Sequence, residues 1–162
     1  MSAKLNRKVI AFEPFIDNIY RIHKAAQLEN LTNNIVLVQN AVSNKRNEVA
    51  LMSKKDLVMA AQGIFENKGK KFKRDSRDKY QVETIVLDDV IPYLPKRDDG
   101  TEFERAAMKI DIEGFEPFAM QKASKLFDHL DVRIILMEWK NLATKNNYQT
   151  VDEMIHFKQS RG

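Results

Sequence analysis

The apolar positions of the chain fall into short, nearly continuous runs separated by stretches of helical periodicity. The runs are Lys8–Phe12 (KVIAF), Ile35–Gln39 (IVLVQ), Glu48–Met52, Val82–Leu87 (VETIVL), Ala107–Ile112 (AMKIDI) and Val132–Glu138 (VRIILME). Several are rich in β-branched residues and barely alternate, which predicts strands of a mostly parallel sheet covered on both faces. After the first run, Pro14 suits the first helical position, and Phe15, Ile19, Ile22 and Ala26 recur at spacings of four, three and four. That is one face of a helix. Pro117 opens a second predicted helix, in which Ala119, Ala123, Leu126, Phe127 and Leu130 form one apolar stripe. A third is predicted from about Thr150 to Phe157, with Val151, Met154 and Ile155 on its buried side. Asn30–Asn34 (NLTNN) and Asp98–Thr101 (DDGT) read as turns.

The first strand, helix and second strand together have the length of a βαβ unit, about 30 residues. A strand–helix–strand pattern repeats from Ala107 to Glu138. The stretch near 44–81 has weaker periodicity and reads as a local insertion carrying a short hairpin. The expected architecture is therefore α/β with a mostly parallel sheet, in a single domain spanning 1–162.

Composition removes whole classes of chemistry. With no cysteine in 162 residues, disulfides, thiolate catalysis and Cys-based zinc sites are excluded. No apolar run reaches the roughly 18 residues of a membrane span, and the N-terminus lacks a signal-peptide pattern. A cytoplasmic protein with no membrane partner is the expectation. The formal charge of +4 is local in origin: Lys68–Lys79 (KGKKFKRDSRDK) holds seven basic and two acidic residues, and the rest of the chain is close to neutral. One basic segment, with Phe72 and Tyr80 as its nearby aromatics, argues against a broad nucleic-acid-binding face. His23, His129 and His156 show no HxH or HxxxH spacing, and neither a GxSxG elbow nor a phosphate-binding GxxxxGK[ST] loop occurs. No metal site is expected.

Ligands of open α/β sheets bind beyond the carboxyl ends of the strands, so the residues at those ends carry the candidate chemistry. Glu13 follows the first strand. A carboxylate there can accept both hydroxyls of a ribose, or can simply complement the dipole of the following helix. Asn40 and Ala41 follow the second strand, where an amide can bond an adenine edge or form a turn. Asp88–Asp89 reads either as a helix cap or as site carboxylates. In Lys109–Glu116 (KIDIEGFE), Lys109, Asp111 and Glu113 alternate with Ile110 and Ile112. Three charges thus fall on one side of an apolar strand, which serves either a site or a solvated edge. Glu138 and Trp139 end the last strand.

Three segments in this order, VIAFEPF (Val9–Phe15), NAVS (Asn40–Ser43) and KIDIEGFEPF (Lys109–Phe118), resemble the FkbM-type methyltransferases. TIVLDD and ILMEW lie between and after them, and the resemblance spans roughly Lys8 to Trp139. It implies a Rossmann-like class I sheet and S-adenosylmethionine-dependent methylation, mostly of oxygen, with a small-molecule or glycan hydroxyl as acceptor. By position, Glu13 would hold the cofactor ribose, and Asn40 and Ala41 would contact the adenine. Asp111, Glu113 and Glu138 would stand where methyl group and acceptor meet, with Asp111 as base or orienting group.

The resemblance also implies a preceding strand with a glycine-rich turn, whereas seven residues precede Lys8 and every glycine lies downstream of the first strand. The expectation is an incomplete sheet, lacking its first, central strand and its last strands. Exposed strand edges would then invite pairing with another chain, such as a homodimer. Three functions follow: a methyltransferase, a catalytically inactive interaction module, or an anion- or RNA-binding protein acting through Lys68–Lys79.

Overall fold

The computed structural model describes residues 3, 7–52, 64–65, 75, 77–138 and 148–161. The chain opens with strand β1 (Val9–Phe12), helix α1 (Ile16–Leu28) and strand β2 (Ile35–Val38). β1 and β2 pair in parallel, from Val9 opposite Ile35 to Phe12 opposite Val38. The predicted stripe of α1 faces inward, with Phe15 and Ala26 buried and Ile19 and Ile22 half-buried. The helix starts two residues later than Pro14 suggests, because Phe15 takes the extended N-cap position and Pro14 precedes it.

Strands β3 (Ala41–Val42), β4 (Val49–Met52), β5 (Ile64–Phe65) and β6 (Gln81–Ile85) form a mixed sheet in the order β3-β6-β4-β5. β3 and β6 are parallel, while β4 is antiparallel to both β5 and β6. The expected hairpin is the β4–β5 pair. The run at Val82–Leu87 thus joins this small sheet, not the one containing β1. It also ends early, because Leu87–Tyr93 coils into a 3-10 helix. Buried Thr84 satisfies its hydroxyl by accepting the Glu48 N–H at 3.1 Å. Of the basic run, 68–74 and 76 lie outside the described residues. Lys79 is described, and its ammonium bonds Asp17 at the start of α1 at 2.7 Å.

A third parallel pair is β7 (Arg105–Ile110) with β8 (Asp131–Met137). A register shift between Ala106 and Ala107 leaves Arg133 without an opposite residue. The bulge reverses the alternation of β8, so that Val132, Ile135 and Met137 all join the core while Ile134 and Leu136 point away. The expectation of a sheet covered on both faces therefore fails here among the described residues: Ile134 is 57% and Leu136 62% exposed. β7 also ends at Ile110, two residues before the predicted limit, so Asp111 and Glu113 lie in a turn beyond the strand.

The helix expected after Pro117 is two helices, α2 (Glu116–Met120) and α3 (Ser124–His129). Asp88 explains the break. Its backbone N–H donates to Lys122 O at 3.1 Å, and its carboxylate accepts the Leu126 N–H at 2.9 Å. One residue from the 3-10 segment thus ends α2 and caps α3. The apolar stripe survives the break, because Ala119, Ala123, Leu126, Phe127 and Leu130 are all buried. They pack with Ile110, Val132 and, from helix α4 (Tyr148–Gln159), Val151 and Met154, in the main core. Ile10 and Phe12 of β1 pack against the same cluster. Among the described residues the three sheets share no backbone ladder, so the single mostly parallel sheet expected from the sequence is here three smaller ones. No helix among the described residues is long and apolar enough to cross a membrane.

Candidate active site

Two of the parallel pairs are followed by acidic residues: Glu13 past β1, and Asp111 and Glu138 past β7 and β8. In the β7–β8 pair, Ile110 lies opposite Met137 as the last paired residues. Asp111 and Glu138 are the next residues along two adjacent strands, which is why their side chains meet. Glu113 joins them through a turn in which its own φ is +57° and that of Gly114 is +95°. The left-handed region accepts glycine freely and glutamate only at a steric cost. The turn brings the Glu113 carboxylate back over the strand ends, so that one oxygen from each of Asp111, Glu113 and Glu138 lies within 4.8 Å of the others. The three acceptor-side residues named from the sequence therefore form one group, although the strand alternation that singled out two of them stops before they begin.

Asp111 and Glu138 are exposed and Glu113 half-buried. Lys109 supplies the local counter-charge, its ammonium 2.7 Å from Asp111 Oδ2. Among the described residues, three carboxylates and one ammonium meet here. A carboxylate so placed can take a proton from a bound hydroxyl.

In the first pair, Phe12 lies opposite Val38, and the Glu13 N–H continues the ladder by donating to Val38 O at 3.1 Å. The Glu13 carboxylate accepts the Phe15 N–H through Oε1 at 2.8 Å, satisfying one of the free donors at the start of α1. Its remaining lone pairs are still able to accept hydroxyl groups. Asn40 stands just past β2 and donates its amide to Glu83 O at 3.0 Å, tying the end of β2 to β6. Its amide oxygen keeps its acceptor capacity. Ala41, 1% exposed, is locked in β3 opposite Thr84 and offers a ligand almost no surface.

Other sequence candidates resolve differently. Asp88 is the helix cap just described. Asp89 accepts the Val86 N–H at 3.2 Å and pairs with the Arg46 guanidinium at 2.8 Å, so both residues are structural. Trp139 lies outside the described residues. A cleft of about 280 Å³ opens at the other end of β8, lined by cations that already have partners. Lys158 donates to Val132 O, Arg161 to Asp128 and Arg133 to Asp131. It offers no group of reactive side chains comparable with the carboxylates.

One residue was missed by sequence reasoning. Glu116, the first residue of α2, is 1% exposed, and its Oε1 accepts the Ile112 N–H at 2.9 Å. Its Oε2 has no partner among the described residues. The available signal was the repetition of Phe-Glu-Pro-Phe at Phe12–Phe15 and Phe115–Phe118.

Parallel strands joined through helices define the class, an α/β protein, and its carboxylates gather at the strand ends where ligands of open α/β sheets commonly bind. The chain belongs to the FkbM methyltransferase family, since the model of the Methyltransferase FkbM domain matches residues 3–162, essentially its whole length. No curated protein and no solved structure matches the chain.

Proposed function

We propose that this FkbM-family chain is an S-adenosylmethionine-dependent methyltransferase acting on a hydroxyl of a small molecule or glycan. The observation that carries the reading is the convergence of Asp111, Glu113 and Glu138 at the ends of two adjacent parallel strands. The fold proposed with it is a Rossmann-like sheet in which β2 and β1 flank one side and β7 and β8 the other. Two parallel pairs on one apolar core support it.

The residues present fit the cofactor in their donor chemistry. The Glu13 carboxylate keeps acceptor sites for a ribose diol, and the Asn40 amide oxygen suits an exocyclic amine. When bound, S-adenosylmethionine supplies a methyl group made electrophilic by its sulfonium. The carboxylate group works on the acceptor. Asp111 would accept the proton that the acceptor hydroxyl gives up, and Glu113 and Glu138 would orient that hydroxyl. Most of the rate gain would come from holding the hydroxyl in line with the methyl group.

The test is methyl transfer from labelled S-adenosylmethionine to a panel of hydroxyl compounds. Asp111→Asn should lower turnover by about 10²–10⁴, the usual share of a general base, with cofactor affinity little changed. Unaltered turnover would remove Asp111 from the mechanism.

A second reading, an inactive module that pairs through strand edges, draws on the geometry of β1 and β7. Among the described residues each is hydrogen-bonded to a strand on one side only, and open edges accept further strands. Concentration-dependent dimerisation in sedimentation would favour it, and a strict monomer would count against it.

A further inference from the structure

We propose that Glu116 is the positioning residue of the carboxylate group, its buried side chain fixing the turn that carries Asp111 and Glu113. The inference rests on reading those carboxylates as the acceptor side of a methyltransferase site. The β7 ladder stops at Ile110, so the Ile112 N–H has no strand to donate to. Glu116 Oε1 receives it at 2.9 Å, and Ile112 O in turn accepts the Phe115 N–H at 3.3 Å. Ile112 is thus held from both sides, between the two carboxylates whose placement matters. Glu113, next in the chain, sits at φ +57°. A non-glycine residue stays in that region when its surroundings over-determine it.

The ordinary account of a first-turn glutamate is an acid complementing the helix dipole near solvent. Two observations oppose it. The side chain is 1% exposed, and its hydrogen bond runs backwards, out of the helix, to a residue four positions upstream. The second oxygen, Oε2, is buried without a partner among the described residues, which is costly for a carboxylate. An apolar residue would avoid that cost but would leave the Ile112 N–H unpaired. The acceptor oxygen is therefore what the turn requires of this position.

The experiment is solution NMR on the labelled full chain. In the wild type, a coupling transmitted through the hydrogen bond should link the Ile112 amide nitrogen to the Glu116 carboxyl carbon, and the Glu113 couplings should report a positive φ. Glu116→Ala should accelerate Ile112 amide exchange by about tenfold or more, as expected for loss of one buried hydrogen bond, and should shift the Glu113 signature. Glu116→Gln retains an acceptor oxygen and should restore both. Absence of the wild-type coupling overturns the proposal. So does an alanine variant with unchanged Ile112 exchange, or a glutamine variant that behaves like alanine. If the alanine variant does not fold, the wild-type coupling decides alone. None of these readouts requires methyl transfer, so loss of the enzymatic reading would leave the result on Glu116 standing.

Discussion

The chain uses the same four residues, Phe-Glu-Pro-Phe, at the ends of two different strands, and the two copies do different things. In the first, β1 runs straight into Glu13, whose N–H still belongs to the sheet. The glutamate is half-buried and bonds forward to Phe15, and the helix begins only after the motif. In the second, the turn at Glu113 and Gly114 has already reversed the chain, so Phe115 is the N-cap and the helix begins inside the motif. Its glutamate is buried and bonds backward to Ile112. A three-residue shift of the helix start converts an open carboxylate, free to meet a ligand, into a closed one that shapes the turn. The difference lies in what precedes the motif: a strand in one case, a left-handed turn in the other.

The largest expected effects come from a buried apolar anchor in or just after each motif. Phe15, 2% exposed, and Met120, 1% exposed, seat the first and second copies on their cores. Phe15→Ala should cost about 3–5 kcal/mol and Met120→Ala about 2–5 kcal/mol in urea unfolding. A loss below about 1 kcal/mol at either position would mean that its region is not packed as described. The two glutamates should then separate. Glu116→Ala leaves a buried donor unpaired and should cost about 1–3 kcal/mol, whereas Glu13→Ala removes a cap-like bond worth about 1 kcal/mol. Equal costs would erase the distinction between them. Gly114→Ala, forced to keep φ at +95°, should lose about 1–2 kcal/mol.

The smallest effects concern exposed ion pairs and pH. Hydrogen bonding to Asp17 raises the Lys79 pKa above its ordinary 10.5. Its contribution to stability is therefore complete below pH 10.5 and is lost as pH rises through the folded value. Hydrogen bonds from Thr101 lower the Asp99 pKa below 3.8. That contribution is complete above pH 3.8 and fades as pH falls through the folded value. Unfolding midpoints of Lys79→Met and Asp99→Asn should differ from the wild type by little, with each difference vanishing at its own extreme of pH. A difference confined to the opposite extreme would contradict these pairings.

The apolar stripes were legible because periodicity depends on local geometry alone. The stripe from Ala119 to Leu130 is buried as read, and that of α1 faces inward with Phe15 and Ala26 buried and Ile19 and Ile22 half-buried. What stayed hidden depended on distant partners. The break between α2 and α3 is made by Asp88, a residue 38 positions from the amide it caps. The bulge opposite Ala106 and Ala107 left no mark in the sequence of β8, where Ile134, Ile135, Leu136 and Met137 are all apolar. At the site, strand ends pointed to Asp111 and Glu138, and adjacent strands then brought them together. Glu113 was chosen on an alternation that the strand does not sustain, and its place in the group comes from a turn. Glu116 escaped notice because a glutamate opening a helix is commonplace, and only its burial and backward bond reveal its role.

In the proposed enzyme, the end of β1 binds the nucleoside and serves the carboxylates at the ends of β7 and β8. Calorimetric titration of S-adenosylhomocysteine into the chain tests it most directly. Binding with a Kd of about 10 μM or tighter, near −7 kcal/mol, that is abolished by Glu13→Ala and retained by Glu116→Gln, is the predicted result. A folded chain that gives no heat, or one whose binding is indifferent to Glu13, would contradict it.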